Sequence, residues 1–432
     1  MYSNMFISYC QDKVGTMPSD VSDFCEIIAI ENPHRRITSL DLYGHRASRK
    51  DFVLLQLALA ETYAELRQME LAKKLFEEAI ARFPSETFTH QMYAIHLASI
   101  DKLSEADSEL ESLVEIDPTG TLIGFDSLEE EDPVLEYILN SLGILWDERG
   151  EIDRARSAYE MIIRMNPNNA SAHNFLGILL THRSDEFEKA RDHFERALEI
   201  NPDYALVHAN LAVLLTNIFD EHEKARKHFE RALELDPDYA FAHANLALRL
   251  SKNFNEFEKA REHYERALEI NPDYAFAHAR LAWLLTEHFD EFEKARDHFE
   301  RALELDPDYG FAHANLAALL TVYFDEHEKA RKHFERALEL DPDYGFAHAN
   351  LANLLTVCFE EHEKAREHYE RALEINPDSA LVHAHLASLL TVYFDEHEKA
   401  RKHFERALEL DPDYGFAHAN LANLLENHFN QR

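Results

Sequence analysis

Residues 205–239, ALVHANLAVLLTNIFDEHEKARKHFERALELDPDY, return with small changes until the chain ends. A period of that length decides the architecture before any local reading does. Within it His208, Leu211, Ala212 and Leu215 recur at i, i+3, i+4 and i+7, one face of a helix. Ala225, Phe229, Ala232 and Leu233 repeat the pattern on a second helix. Asp220, followed three positions on by Glu223, reads as an N-cap with its capping-box partner. Pro237 ends the second helix, because proline lacks a donor and disfavours helix at the residue before it. The unit is a helical hairpin with an apolar stripe that only a neighbouring hairpin can bury.

The unit resembles the tetratricopeptide repeat through His208, Leu211, Ala212, Leu215, Ala225, Phe229 and Pro237. Histidine stands where the family often has tryptophan. Ten residues run from Leu215 to Ala225 where the family has nine, so the repeat is 35 residues long and the turn inside each hairpin should change. The resemblance implies an all-α fold, a right-handed superhelical solenoid of helix-turn-helix repeats.

Residues 1–52 fall outside the repeat and carry a basic stretch: Arg35, Arg36, Arg46, Arg49 and Lys50 against Asp41. They are read as a cap, or as a segment that folds back or recruits an acidic partner. Two 34-residue repeats follow at 53–120, then an inserted loop at 121–135, read as a bulge or a binding loop. The third repeat is 136–169, with Leu142, Gly143, Trp146, Gly150, Ala155, Tyr159 and Pro167 in family register. Seven 35-residue repeats fill 170–414, marked by Pro202, Pro237, Pro272, Pro307, Pro342, Pro377 and Pro412. A terminal half-repeat helix occupies 415–432.

The formal net charge is −38, which disfavours nucleic acid and anionic membrane surfaces as partners. No apolar run is long enough to span a bilayer, so no membrane insertion is expected. Cys10, Cys25 and Cys358 are few and scattered, which fits the reducing cytoplasm. The charge is also unevenly placed. In residues 205–239 all eleven charged side chains lie between Asp220 and Asp238, leaving the first helix neutral. A helix with no charged face is normally buried or covers a partner.

By the family's geometry, the first helices line a concave groove. The resemblance places there Phe241, Phe276, Phe311, Phe346 and Phe416, and at the sixth position Asn210, Asn245, Asn315, Asn350 and Asn420. Such a run is similar to the asparagine ladders with which some family members hold the backbone of an extended peptide. An amide both donates and accepts, so it can bracket a peptide unit; the alternative is that these are only soluble groove residues. Arg249, Lys252 and Arg280, beside Trp283, break the neutral background. Arg280 matches the clamp arginine of chaperone-adaptor members, but alanines Ala209, Ala244 and Ala279 replace the clamp lysine. The readings are a local spot for an acidic ligand, or drift with snorkelling side chains.

Of the 27 histidines, seven form a ladder on first helices (His208 to His418) and seven another on second helices (His193 to His403). No helix offers an i, i+4 histidine pair or H-E-x-x-H, so packing is expected rather than a metal site. No cofactor site, phosphate loop or catalytic constellation is evident, and no enzyme activity is expected. The expected function is a protein–protein interaction scaffold that binds a peptide or partner protein in its groove. The alternatives are self-assembly as a homo-oligomer through Leu421 and Leu425 of the half repeat, and a recognition arm for a separate enzyme.

Overall fold

The computed structural model describes residues 52–82, 87–100, 102–116, 133–182 and 186–429, and among these every regular element is helical. The expected N-terminal cap and its basic stretch, nearly all of the inserted loop, Cys10 and Cys25 lie outside the described residues. Among the described residues no helix is long and apolar enough to cross a membrane. Two compact units divide the chain, residues 1–220 and 221–432.

In the first unit α1 (Phe52–Glu65) pairs with α2 (Met69–Arg82), α3 (Thr87–Ser99) with α4 (Leu103–Ile116), α5 (Pro133–Glu148) with α6 (Ile152–Met165) and α7 (Ala170–Leu180) with α8 (Phe187–Ile200), followed by α9 (Ala205–Asn217). The second unit opens with α10 (His222–Leu235). Five hairpins follow: α11 (Ala240–Asn253) with α12 (Phe257–Ile270), α13 (Ala275–His288) with α14 (Phe292–Leu305), α15 (Gly310–Tyr323) with α16 (His327–Leu340), α17 (Gly345–Cys358) with α18 (His362–Ile375), and α19 (Ala380–Tyr393) with α20 (His397–Leu410). The unit closes with α21 (Gly415–Leu424) and a π-helical turn at Leu425–Phe429.

Within each unit a second helix packs on its own first helix and on the next one, and the successive first helices of residues 240–424 also touch each other. Each unit is thus a helical solenoid with the first helices as one layer. The stripes seen in the sequence form its core: Ala260, Tyr264 and Ala267 on α12 are essentially inaccessible, as are Leu246, Ala247 and Leu250 on α11. Each such large side chain stabilises the stack by about 1.5–3 kcal/mol.

The turn inside the hairpin carries the extra residue. In the 34-residue repeats a backbone N–H reaches five residues back: Gln68 to Tyr63 at 2.9 Å, Lys102 to Leu97 at 2.9 Å, and Glu151 to Trp146 at 2.7 Å. In the 35-residue repeats it reaches six back, Glu256 to Leu250 at 2.9 Å and Glu326 to Leu320 at 3.2 Å. The residue before the donor is left-handed in both kinds, at Gly150 (φ 74°) and at Asn255, Asp290, Asp325, Glu360 and Asp395 (φ 52–55°). Asp220 is left-handed too (φ 57°), and α10 has Glu221 as its N-cap, whose side chain makes no capping hydrogen bond and pairs instead with Lys224. The capping-box reading of Asp220 and Glu223 is therefore corrected. Aspartate suits both an N-cap and the left-handed region, and the longer turn uses it for the second.

Between repeats, Asp236 ends α10; its side chain accepts from the Asp238 N–H at 3.1 Å, a local turn rather than an ion-binding loop. Neighbouring repeats are clasped on the second-helix side. Arg226, Arg261, Arg296, Arg331 and Arg366 donate to Glu256, Glu291, Glu326, Glu361 and Glu396 of the following turn at 2.7–2.9 Å. The same guanidinium groups lie 5.1–5.2 Å from the rings of Phe254, Phe289, Phe324, Phe359 and Phe394.

Candidate functional site

The first-helix layer of the second unit divides into two parts with different chemistry. Along α11 and α13 stand Arg249, Lys252, Arg280 and Glu287, whereas α15, α17, α19 and α21 carry no Asp, Glu, Lys or Arg. On the uncharged helices, apolar side chains face solvent: Val322 at 66%, Val357 at 70% and Val392 at 62% exposed, with Phe346, Leu381 and Phe416 at 40–55%. The valines hold one register position, the thirteenth of three successive repeats. The residues around them, such as Leu319, Leu320, Leu354 and Leu355, are no more than 2% exposed. Folding has had every opportunity to bury such side chains and has left these out.

The asparagines spend part of their amide on the fold. Asn245, Asn315, Asn350 and Asn420 each donate from Nδ2 to the carbonyl of the phenylalanine four residues earlier, at 2.8–2.9 Å. That bond fixes the rotamer and leaves each amide its oxygen and a second N–H. The Asn315 side chain also bonds the Tyr344 hydroxyl. Asn210, in the first unit, instead donates to the buried Asn174 at 3.0 Å. Phe241 and Phe276 are half-buried, at 5.8 Å from the rings of Tyr239 and Tyr274.

Trp283, Asn315, Val322, Tyr323 and Phe346 line one small cavity of about 130 Å³, which brings side chains of three successive first helices together. Trp283 sits there edge-on to His288, ring centres 5.8 Å apart. Arg280 belongs to a different grouping. Its guanidinium lies 3.9 Å from the Phe311 ring centre and 5.5 Å from that of Phe276, and it donates to the Tyr309 hydroxyl. Burial pushes the Tyr309 phenol up, and Arg280 pulls against that shift. The cation therefore packs against two rings, an arrangement the sequence did not show. Lys252 is exposed at the last turn of α11 and enters neither grouping. Leu421 and Leu425 are half-buried, while Leu424 between them is the fully buried side chain.

Sequence reasoning reached the phenylalanine and asparagine positions but not the valines or the tyrosine hydroxyls. The missed signal was available: the thirteenth position changes from Lys252 and Glu287 to three valines in a row.

Models of the tetratricopeptide repeat match residues 55–85, 142–205, 183–240, 241–310, 325–389 and 382–414. A search of curated proteins found no match. Among solved structures, the chain is similar to the APC/C hetero-tetramer Cut9–Hcn1, with 15% identity and a TM-score of 0.57 over 94% of this chain and 83% of that one. It is also similar to YrrB, a TPR protein with an unusual peptide-binding site, at 26% identity over 44% of this chain and 95% of that one, with a TM-score of 0.35. PilF of Pseudomonas aeruginosa matches at 22% identity over 54% of this chain and 99% of that one, with a TM-score of 0.45. The period, the hairpin packing and the family-model matches agree: the chain belongs to the tetratricopeptide repeat family.

Proposed function

We propose that the chain is a non-enzymatic cytoplasmic scaffold that binds an extended segment of a partner protein along the first helices of residues 240–424. The observation that supports this reading best is the exposed ladder of Val322, Val357 and Val392, flanked by Phe346, Leu381 and Phe416, on helices without charge. Contiguous apolar surface on an otherwise highly charged protein marks an interaction site. An extended segment gains burial against the valines and hydrogen bonds from the asparagine amides. A charged residue on that segment would be desolvated there without a counter-ion, so the bound segment is uncharged over α15–α21.

The test begins by selecting peptides from a random display library on the purified chain, then measures their affinity for that chain and four variants. The variant Val322→Ser, Val357→Ser, Val392→Ser should lose about tenfold or more, equivalent to roughly 1.4 kcal/mol. Changing Asn315 and Asn350 to alanine should lose less, since each neutral hydrogen bond is worth about 1 kcal/mol net. Arg280→Ala acts indirectly, by releasing the Phe276 and Phe311 rings. A control altering Lys227 and Arg231 on α10 should change little. Equal losses in the control and the valine variant would move the binding site to the second-helix face.

A further inference from the structure

The two histidine ladders meet pairwise. His243 and His263 face each other Nδ1 to Nδ1 at 2.8 Å, and His278–His298, His313–His333, His348–His368 and His383–His403 do the same at 2.8 Å. His173–His193 is a sixth pair, at 2.9 Å in the first unit. The first-helix partner also points its Nε2 at a proline carbonyl, His243 to Pro237 at 3.1 Å and His313 to Pro307 at 3.0 Å. A carbonyl only accepts, so Nε2 of the first-helix ring carries hydrogen. In the neutral ring its Nδ1 is then bare and accepts, so the second-helix ring must hold its proton on Nδ1.

We propose that these pairs are proton-sensitive latches, joining first helix to second in one fixed tautomer and releasing when acid charges them. One added proton can sit on the outer Nε2 of the second-helix ring with both bonds kept, but it places a cation in a half-buried site. A second proton must go to Nδ1 of the first-helix ring, where it meets an N–H head-on and a like charge. The latch therefore holds in the neutral state, weakens with one proton and opens with two.

The surroundings do not rescue the charge. Around His263 stand Glu230, which favours the cation, and Arg226 and Lys259, which oppose it. His298 faces Glu265, Asp297 and Lys294, His333 faces Glu300 and Lys329, His368 faces Glu335 and Lys364, and His403 faces Glu370. His243 has Arg266, Asp236 and Asp238 around it, and His278 has Arg301 and Asp273. Burial first, then the facing histidine, pushes His263, His298, His333 and His368 down to about 4. A lowered folded value means the unfolded chain binds more protons below its own value of about 6.5, so stability falls as pH drops from there toward 4. The clasp carboxylates Glu256, Glu291, Glu326, Glu361 and Glu396 are held below the usual range by lysine and arginine partners and lose their charge later.

Two measurements on the full chain test the latch. Histidine-labelled nitrogen NMR at pH 7.5 should show a set of rings protonated at Nδ1, the rarer tautomer; finding every neutral ring protonated at Nε2 would overturn the proposal. Urea unfolding at pH 7.5 and pH 5 should show the unfolded chain binding more protons than the folded chain at the lower pH, up to about two per latched pair. The variant His263→Asn, His298→Asn, His333→Asn, His368→Asn, His403→Asn keeps an N–H near each Nδ1 position without a titrating ring. Its urea midpoint should fall by less than half as much between those pH values. An equal fall in both proteins would place the acid sensitivity elsewhere; if the five-fold variant does not fold, His333→Asn alone should remove about a fifth of the difference.

Discussion

The hairpins of residues 52–165 and those of residues 240–410 are built on the same plan with a one-residue difference in the turn. In the shorter form the chain closes over five residues, and Lys73 pairs with Glu105 at 3.0 Å. In the longer form it closes over six, and a phenylalanine and a glutamate are presented together to an arginine of the preceding repeat. The polar pair between helices differs as well. His90 meets the Glu109 carboxylate at 2.7 Å in the shorter form, whereas the longer form sets histidine against histidine. A lengthened turn has thus become the place where one repeat grips the next.

The largest contrast should be inside the longer form, between core and groove. Phe334 on α16 is 1% exposed and Phe346 on α17 is 43% exposed, although both are phenylalanines of the same kind of hairpin. Phe334→Ala should cost about 3–5 kcal/mol. Phe346→Ala should cost under about 1 kcal/mol, the usual range for a surface change. Hydrogen exchange of α15–α17 amides reads both, because opening in a solenoid is local. Similar protection losses for the two would mean that Phe346 is structural and would weaken its assignment to a binding face.

Much of this was legible in the sequence because the period repeats the same physics. Alanine at positions such as Ala225 and Ala232, with Phe229 on the same face, can only pack one helix against another, and the prolines mark each exit. What failed to show was whatever depends on chain crossing between helices. His243 and His263 are 20 residues apart, a separation with no helical period, and they meet only because the turn brings α12 back along α11. Arg280 and Phe311 belong to successive repeats, so their contact could not be read from sequence spacing. Asp220 was misread because two local roles share one residue type.

The turn itself offers the second test. Gly150 has φ 74° and a Cβ there would meet nothing within 4 Å, so Gly150→Ala isolates backbone strain. It should cost about 1–2 kcal/mol. Glu360 holds the corresponding left-handed place in the longer form, at φ 54°. Glu360→Gly relieves strain but loosens the unfolded chain, for a net gain under about 1 kcal/mol. Opposite signs in denaturant midpoints would confirm that both turn lengths hinge on one left-handed residue. A loss on Glu360→Gly would show that the glutamate side chain itself holds the longer turn.

The smallest expected effect separates stacking from charge in the repeat-to-repeat clasp. Arg296 donates to Glu326 at 2.8 Å and to Glu300 at 2.8 Å, with Phe324 under its plane at 5.1 Å. Arg296→Lys keeps the positive charge but loses the flat face and the forked donors. Exposed cation–π contacts are worth about 0.5–1 kcal/mol, which sets the scale of the loss. Lys73, paired with Glu77 and Glu105 beside the Tyr93 phenol, is the short-turn counterpart, because Lys73→Arg changes the same chemistry in the other direction. A double-mutant cycle of Arg296→Lys with Phe324→Leu isolates the stacking term, since leucine keeps apolar bulk without a π face. The coupling should persist in high salt, while any coupling between Arg296 and Glu326 should fade as ions screen it. If the Arg296–Phe324 coupling vanishes with salt, the clasp is an ion pair alone, and the extra residue of the longer turn contributes spacing rather than a contact.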